Sequence, residues 1–397
     1  MDRAPESLFA TRLAFAQYAL IGVGAVSFAP ILPQIIADFD LSLTVAGLLF
    51  PAKAVGGFAG GLIAGPLIDR YGTKPIILGC LGTAALGLLL TGYGPTWVVL
   101  LVGFLLSDIG QRALSTCLNT LVAEANPHDP ARYLNYLHGV YGIGALLAPL
   151  LIGIWLLEGY DWRPVFKIAA LLWIALLAFA ARATFPSLKQ DVRRKPALDR
   201  GLFQSSLFLM LFAVAFCYNG VAVPLLGWIS TYLDQAGTLH PFWSASMISI
   251  FYVALTAGRF ICGALAKRLG FERTIFACAL GAAAAYPLVI TAVDPWALGI
   301  GVLLSGLFLS GLFPTALAVA NAAFPERPGT ATAVLSTAMT MGSLLPPWWT
   351  GAIADIWSFQ GALLINASMI VVMLVAAFII FSRRPQATQS KERPLHQ

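Results

Sequence analysis

Twelve apolar stretches follow one another along the chain, at 11–36, 43–68, 75–93, 97–123, 132–157, 164–184, 203–233, 243–268, 273–292, 296–323, 328–353 and 359–381. Each approaches or exceeds the ~20 residues that a helix needs to cross a bilayer. Hydrophobic residues are 59% of the chain and charged residues only 11%. Soluble domains run near ~25% charged, so no water-facing fold could hide this much apolar surface. The solvent must be lipid. In lipid, backbone groups have to be satisfied within the segment, which leaves helices. Barrel strands would be about half as long and would alternate in polarity. The chain is therefore expected to be an all-α membrane protein with twelve transmembrane helices.

A second feature divides these helices into two sets. Gly65-Pro-Leu-Ile-Asp69-Arg70-Tyr-Gly72-Thr-Lys74 links two apolar stretches. A looser copy, Gly263-Ala-Leu-Ala-Lys267-Arg268-Leu-Gly270-Phe-Glu-Arg273, links two others, with its first glycine 198 residues further on in a chain of 397. A loop repeated at half the chain length points to a transporter built from duplicated bundles. The expected organisation is an N-terminal six-helix bundle (1–184), a basic linker (185–202), a second six-helix bundle (203–381) and a polar tail (382–397).

The first copy resembles the signature of the major facilitator superfamily, G-x-L-x-D-R-x-G-x-K/R, which lies between that family's second and third helices. The resemblance implies the major facilitator fold: two pseudo-symmetric bundles rocking about a central site. It implies a transporter, not an enzyme. It also implies a conformational latch, for which the candidates are Gly65, Asp69, Arg70, Gly72, Lys74, Arg259 and Arg268. Lys267 stands where the second copy would carry its aspartate, so the second loop should contribute less to the latch.

Lys and Arg set the orientation. With both termini on one side, that side gathers Arg3, Arg70, Lys74, Arg132, Lys189, Arg193, Arg194, Lys195, Arg200, Lys267, Arg268, Arg273, Arg327, Arg383, Arg384, Lys391 and Arg393. The other has Arg163 and Lys167. The excess places both termini in the cytoplasm of what is expected to be a bacterial inner membrane. The net charge of +6 sits in the loops and is no signal for nucleic acid. The five cysteines fall inside apolar stretches without metal-ligand spacing and read as free buried thiols. No metal or cofactor is expected, only a proton or sodium gradient. The partners expected are a small-molecule substrate and the bilayer, with the chain a monomer.

Ionisable residues inside a bilayer are costly and mark function by default. Lys53 lies mid-span in the second helix, Asp108 and Arg112 mid-span in the fourth, Arg259 in the inner half of the eighth, and His138 two turns into the fifth. Asp108 and Arg112 share a face at i, i+4 and can pair. Ser115 and Asn119 extend that stripe, with Gln111 beside it. Lys53 and Asp108 lie at nearly equal depth, so Lys53 can join them in a triad of net charge +1. Such a cluster is either a lock between helices or a site for an anion or a proton; the site is favoured. The 198-residue offset carries these charges to Phe251, Gly306, Ser310 and Ser336, so the charge chemistry is expected in the first half. The second half offers Tyr218, Asn219, Trp228, Ser310 and Thr315 to a polar solute.

Further segments resemble the fucose, galactose and glucose proton symporters within the superfamily: Leu134-Asn135 through His138, Gly142 and Gly144; Asp161-Trp162-Arg163; Gly227-Trp228 through Tyr232; Gly258-Arg259; and Phe313-Pro314-Thr315. That branch has a carboxylate in the first helix, which this chain lacks, and Lys53 and Arg112 are unexpected for a neutral sugar. The expected function is proton-coupled transport of a sugar or a small organic anion. Efflux of hydrophobic compounds, or a sensor that keeps the fold without transport, are the alternatives. No metal-ligand cluster, nucleophile elbow or phosphate loop argues for catalysis.

Overall fold

The computed structural model describes residues 5–183, 200–235, 240–292 and 294–382. All but the first residue of the expected tail and nearly all of the expected linker lie outside these residues. Twelve spans appear as helices, three of them broken. The first span is α1 (Pro5–Val26) and α2 (Phe28–Asp38), the second α3 (Leu43–Ala46) and α4 (Leu49–Tyr71). Then come α5 (Thr73–Tyr93), α6 (Trp97–Ala125), α7 (Pro130–Leu157) and α8 (Arg163–Arg182). After the short α9 (Arg200–Gln204), the second half runs α10 (Ser206–Gln235), α11 (Pro241–Leu269), α12 (Phe271–Thr291), α13 (Pro295–Leu309) with α14 (Leu312–Ala323), α15 (Pro328–Ile356) and α16 (Phe359–Ser382).

The three breaks have one cause. Pro30, Pro51 and Pro314 lack the N–H that would bond the carbonyl four residues earlier, and the helices part at Val26–Ser27, Gly47–Leu48 and Ser310–Gly311. Ser27 and Ser310 turn their hydroxyls onto the Val23 and Leu307 carbonyls, each at 2.6 Å.

The duplication is carried through the fold. Thr73–Tyr93 and Phe271–Thr291 correspond residue for residue at the 198-residue offset. So do the glycines that precede them, Gly72 at φ 81° and Gly270 at φ 91°. These left-handed positions let each helix pair turn with one linking residue. We expect Gly72→Ala to lower stability by about 1–2 kcal/mol, the cost of a Cβ in the left-handed region. Gly79→Ala, on an open face of α5, should leave the melting temperature in detergent unchanged or raise it slightly. Equal losses in the two variants would contradict the backbone argument.

Eleven helical spans among the described residues are long and apolar enough to cross a membrane. The twelfth, α15, is 29 residues long but rich in Thr, Ser, Gly and Trp. It packs against α10, α14 and α16 of its own half and against α3 and α4 of the other, which spares it full contact with lipid. Small residues set the helix approach: Gly22 of α1 and Gly144 of α7 face each other's backbone with no room for a Cβ.

Call the face bearing Gly72 and Gly270 the motif face. The two halves meet at the opposite face. There Asp355, at the end of α15, accepts from the backbone N–H groups of Leu43 (2.8 Å) and Thr44 (2.6 Å) and from the Thr44 hydroxyl. Beneath this cap, Phe50 of α4 packs on Trp228 of α10 at 5.4 Å between centroids. The Ser249 hydroxyl of α11 donates to the Leu146 carbonyl of α7 at 2.7 Å. Towards the motif face Gly65, Gly139 and Gly263 have open space where a side chain would be. Arg112, His138 and Arg259 are exposed although they lie well inside their helices. The molecule therefore holds a central cavity closed at the opposite face and open at the motif face.

Candidate functional site

Lys53 and Asp108 meet as their depths suggest. The Lys53 Nζ lies 2.6 Å from the Asp108 Oδ2 and bridges α4 to α6. The ammonium is caged by two rings, Phe28 at 5.0 Å and Phe104 at 5.4 Å. The pair keeps 14% and 21% of its side-chain surface accessible. Arg112 does not join it. Among the described residues no ion pair between Asp108 and Arg112 forms, and the expected triad is reduced to a pair. Arg112 instead runs along Gly57 and Gly61 of α4, with Nε 3.7 Å from the place of a Gly57 Cβ. Two glycines on the neighbouring helix leave room for the long side chain to reach the cavity.

The rest of the α6 stripe gathers around a residue that the sequence did not single out, Tyr18 of α1. Its hydroxyl lies 3.0 Å from the Ser115 hydroxyl, accepts from Asn119 Nδ2 at 3.2 Å, and lies 3.4 Å from His138 Nδ1. The rings of Tyr18 and His138 stand edge to face at 5.3 Å. Gln111 turns away: it is buried against Gly24 of α1 and donates to Ser107.

The second half supplies a cation of its own. Arg259 of α11, expected in the latch, lies in the cavity. Tyr218 of α10, His138 and Tyr141 of α7 and Tyr252 of α11 lie in its electrostatic range. Tyr141 lies in the range of Arg112 as well. One guanidinium from each half thus lies in the electrostatic range of one phenol. Among the described residues neither has an ion-pair partner. The charge chemistry is shared between the halves, not confined to the first.

The other second-half candidates are engaged in contacts between helices or buried. Asn219 donates to the Met339 carbonyl (3.0 Å) and the Ser343 hydroxyl (2.8 Å), tying α10 to α15. Trp228 donates to the Pro347 carbonyl at 2.8 Å and plugs the opposite face. Ser310 is buried beside Gly258 and Cys262, and Thr315 is buried in α14. In the motif loops Lys74 donates to the Ala183 carbonyl at 2.8 Å, and Arg70 lies over the Tyr71 ring. Asp69 and Arg268 are exposed at the motif face. Tyr18, Tyr141 and Tyr252 were missed because a ring inside an apolar span reads as packing. The signal available was the phenol itself, a polar atom that must find a partner in lipid.

A bilobed helical fold with a mid-membrane cavity between its halves is the form of a carrier, and a family model described as the Major Facilitator Superfamily matches residues 14–293 and 243–396. The chain belongs to the major facilitator superfamily. As a superfamily member it is a multi-pass membrane transporter, not an enzyme. It is 24% identical over 395 residues to a cis,cis-muconate transport protein of Acinetobacter baylyi, covering 90% of this chain and 91% of that one. It is 24% identical over 243 residues to the sialic acid transporter NanX of Escherichia coli, covering 59% and 58%. Among solved structures it superposes on the nucleoside transporter NupG with a TM-score of 0.80 at 15% identity, over 96% of this chain and all of that one. The last likeness shows the fold.

Proposed function

We propose that this superfamily member is a secondary active transporter that moves a small organic anion across the cytoplasmic membrane by alternating access. The observation that carries this reading is the pair of guanidiniums, Arg112 and Arg259, open to a central cavity and lacking carboxylate partners among the described residues. An uncompensated cation at mid-bilayer is costly, and an anion that enters and leaves is the economical answer to it. A neutral sugar would need amides and hydroxyls, and a hydrophobic drug would need an apolar wall. Neither accounts for two cations. Two relatives named for organic anions, muconate and sialic acid, support the reading.

The proposed coupling ion is the proton. His138 is the titratable ring open to the cavity, against Tyr18 and near Arg259. The Lys53–Asp108 pair, closed on itself under two rings, is better placed to hold α4 against α6. The motif face is assigned to the cytoplasm because Arg70, Lys74, Arg132, Lys267, Arg268, Arg273 and Arg327 lie on it, against Arg163 and Lys167 opposite.

Two measurements test the proposal. Purified protein in proteoliposomes should accumulate labelled organic anions when the outside is made acidic, and far less under an equal sodium gradient. Accumulation of a neutral sugar but no anion would overturn the substrate class. For orientation, a variant cleared of its five native cysteines, all buried, should carry either Tyr160→Cys or Glu326→Cys. In intact cells an impermeant maleimide should label the first and not the second. The reverse pattern would invert the assignment.

A further inference from the structure

We propose that the transported anion is a dicarboxylate, one carboxylate held by Arg112 of the first half and the other by Arg259 of the second; this rests on the organic-anion reading above. The first argument is charge. Among the described residues the mid-membrane charges are Lys53, Asp108, Arg112 and Arg259. Lys53 and Asp108 cancel each other across 2.6 Å. The two guanidiniums remain, so the empty cavity holds a formal charge of about +2 with the histidine counted as neutral. To change state, the carrier must close over this charge and remove it from water. Each negative charge on the cargo lowers what the closed site has to hold, and two cancel the arginines. A monocarboxylate leaves one guanidinium uncompensated, and a neutral solute leaves both.

The second argument is placement. The two cations stand on separate halves, Arg112 on α6 beside Gly57 and Gly61 of α4 and Arg259 on α11, and both lie in the electrostatic range of Tyr141. Each guanidinium can take a planar carboxylate through two parallel N–H donors. A cargo with an acidic group at each end therefore spans the cleft. It draws together two halves whose like charges otherwise oppose closure at the motif face. Tyr218, in the electrostatic range of Arg259, and the Tyr18 cluster, which includes Ser115 one turn beyond Arg112 on α6, supply neutral donors around the bridge.

The test is uptake into proteoliposomes of labelled succinate, adipate, gluconate and glucose 6-phosphate, with thermal shift as a second readout of binding. Succinate or adipate should be transported and should stabilise the protein, and gluconate should do neither comparably. Arg112→Gln and Arg259→Gln should each weaken the apparent affinity for the dicarboxylate by about 10- to 100-fold, the range expected for one lost charge-assisted bidentate contact. Each should also narrow the preference for the dicarboxylate over gluconate. Arg112→Lys and Arg259→Lys keep the charge, should fold, and should lose less. Equal transport of gluconate and dicarboxylates, or indifference to one of the two arginines, would overturn the bridge while leaving an organic-anion carrier. Transport of glucose 6-phosphate without any dicarboxylate would overturn the two-ended cargo. Failure of every anion, with uptake of a neutral solute, would instead overturn the functional reading beneath it.

Discussion

Asp108→Asn alone should destabilise the protein by about 2–4 kcal/mol and cut its yield in the membrane. The double variant Lys53→Met/Asp108→Asn should recover most of the loss. Breaking one side of a buried ion pair typically costs 3–5 kcal/mol, because the partner is left as a bare charge. The figure here is set lower because the two side chains keep 14% and 21% of their surface accessible. With the carboxylate gone, Lys53 keeps, among the described residues, the faces of Phe28 and Phe104 as partners. Methionine fills the same cage without a charge. Thermal unfolding in detergent and transport in proteoliposomes together read the outcome. If the double variant folds well but does not transport, the pair belongs to the site and the lock is refuted.

The second large effect is expected at the opposite face. Asp355→Ala should shift the carrier away from the conformation open at the motif face by about 1–2 kcal/mol, roughly tenfold in population. Asp355 caps a helix of the other half, accepting from Leu43, Thr44 and the Thr44 hydroxyl. The contact exists only while the opposite ends are together, so its loss biases one state against the other. Spin labels at Asp40→Cys and Trp357→Cys should show a larger fraction of long distances in the variant. An unchanged distribution would dismiss the latch. Asp69→Asn, at the far end of the same span, should act in the opposite sense, with Lys267→Ala milder.

The cap should be indifferent to pH in the physiological range. Burial pushes the Asp355 carboxyl up, but hydrogen bonds from Thr44, Leu43 and Ser42 outweigh it and hold the carboxyl below its ordinary value. The contribution of a depressed carboxylate is complete above its ordinary range. It is lost only as pH falls through the lower, capped value. An acidic exterior can therefore drive transport without prising this latch open.

The number and order of spans were legible in the sequence because lipid leaves a chain few options. The offset of 198 residues was legible because each half repeats the same turn through a left-handed glycine. The helix breaks were legible in principle: each stands about four residues before a proline. Depth predicted the meeting of Lys53 and Asp108, because a helix advances a fixed distance per residue. Rotation was harder. Asp108 and Arg112 share a helix face, yet Lys53 claims the first, and Gly57 and Gly61 guide the second into the cavity. Local spacing cannot choose between a neighbour on the same helix and a closer one on the next. Arg259 was visible as a charge in the inner half of its span and was grouped with the latch, with no sign in the sequence that it approaches Arg112. Its rotation toward α7 follows from packing between halves, which no single-helix pattern contains. The same holds for Tyr18, Tyr141 and Tyr252, apolar in pattern and polar in use.

Helix α15 bears on how such a chain is made. Among the described residues it is the one full-length span that is not apolar enough to cross by itself, and it packs against five other helices, two of them in the other half. The segment that follows it, α16, has a mean hydropathy of 2.8, the highest of the eleven spans. Insertion favours apolar segments and resists polar ones. During synthesis α15 would gain its place as one arm of a hairpin, carried in by α16 and received by helices already assembled. The price of a polar span is then a late step in biogenesis, and truncation just before Phe359 should leave α15 outside the bilayer.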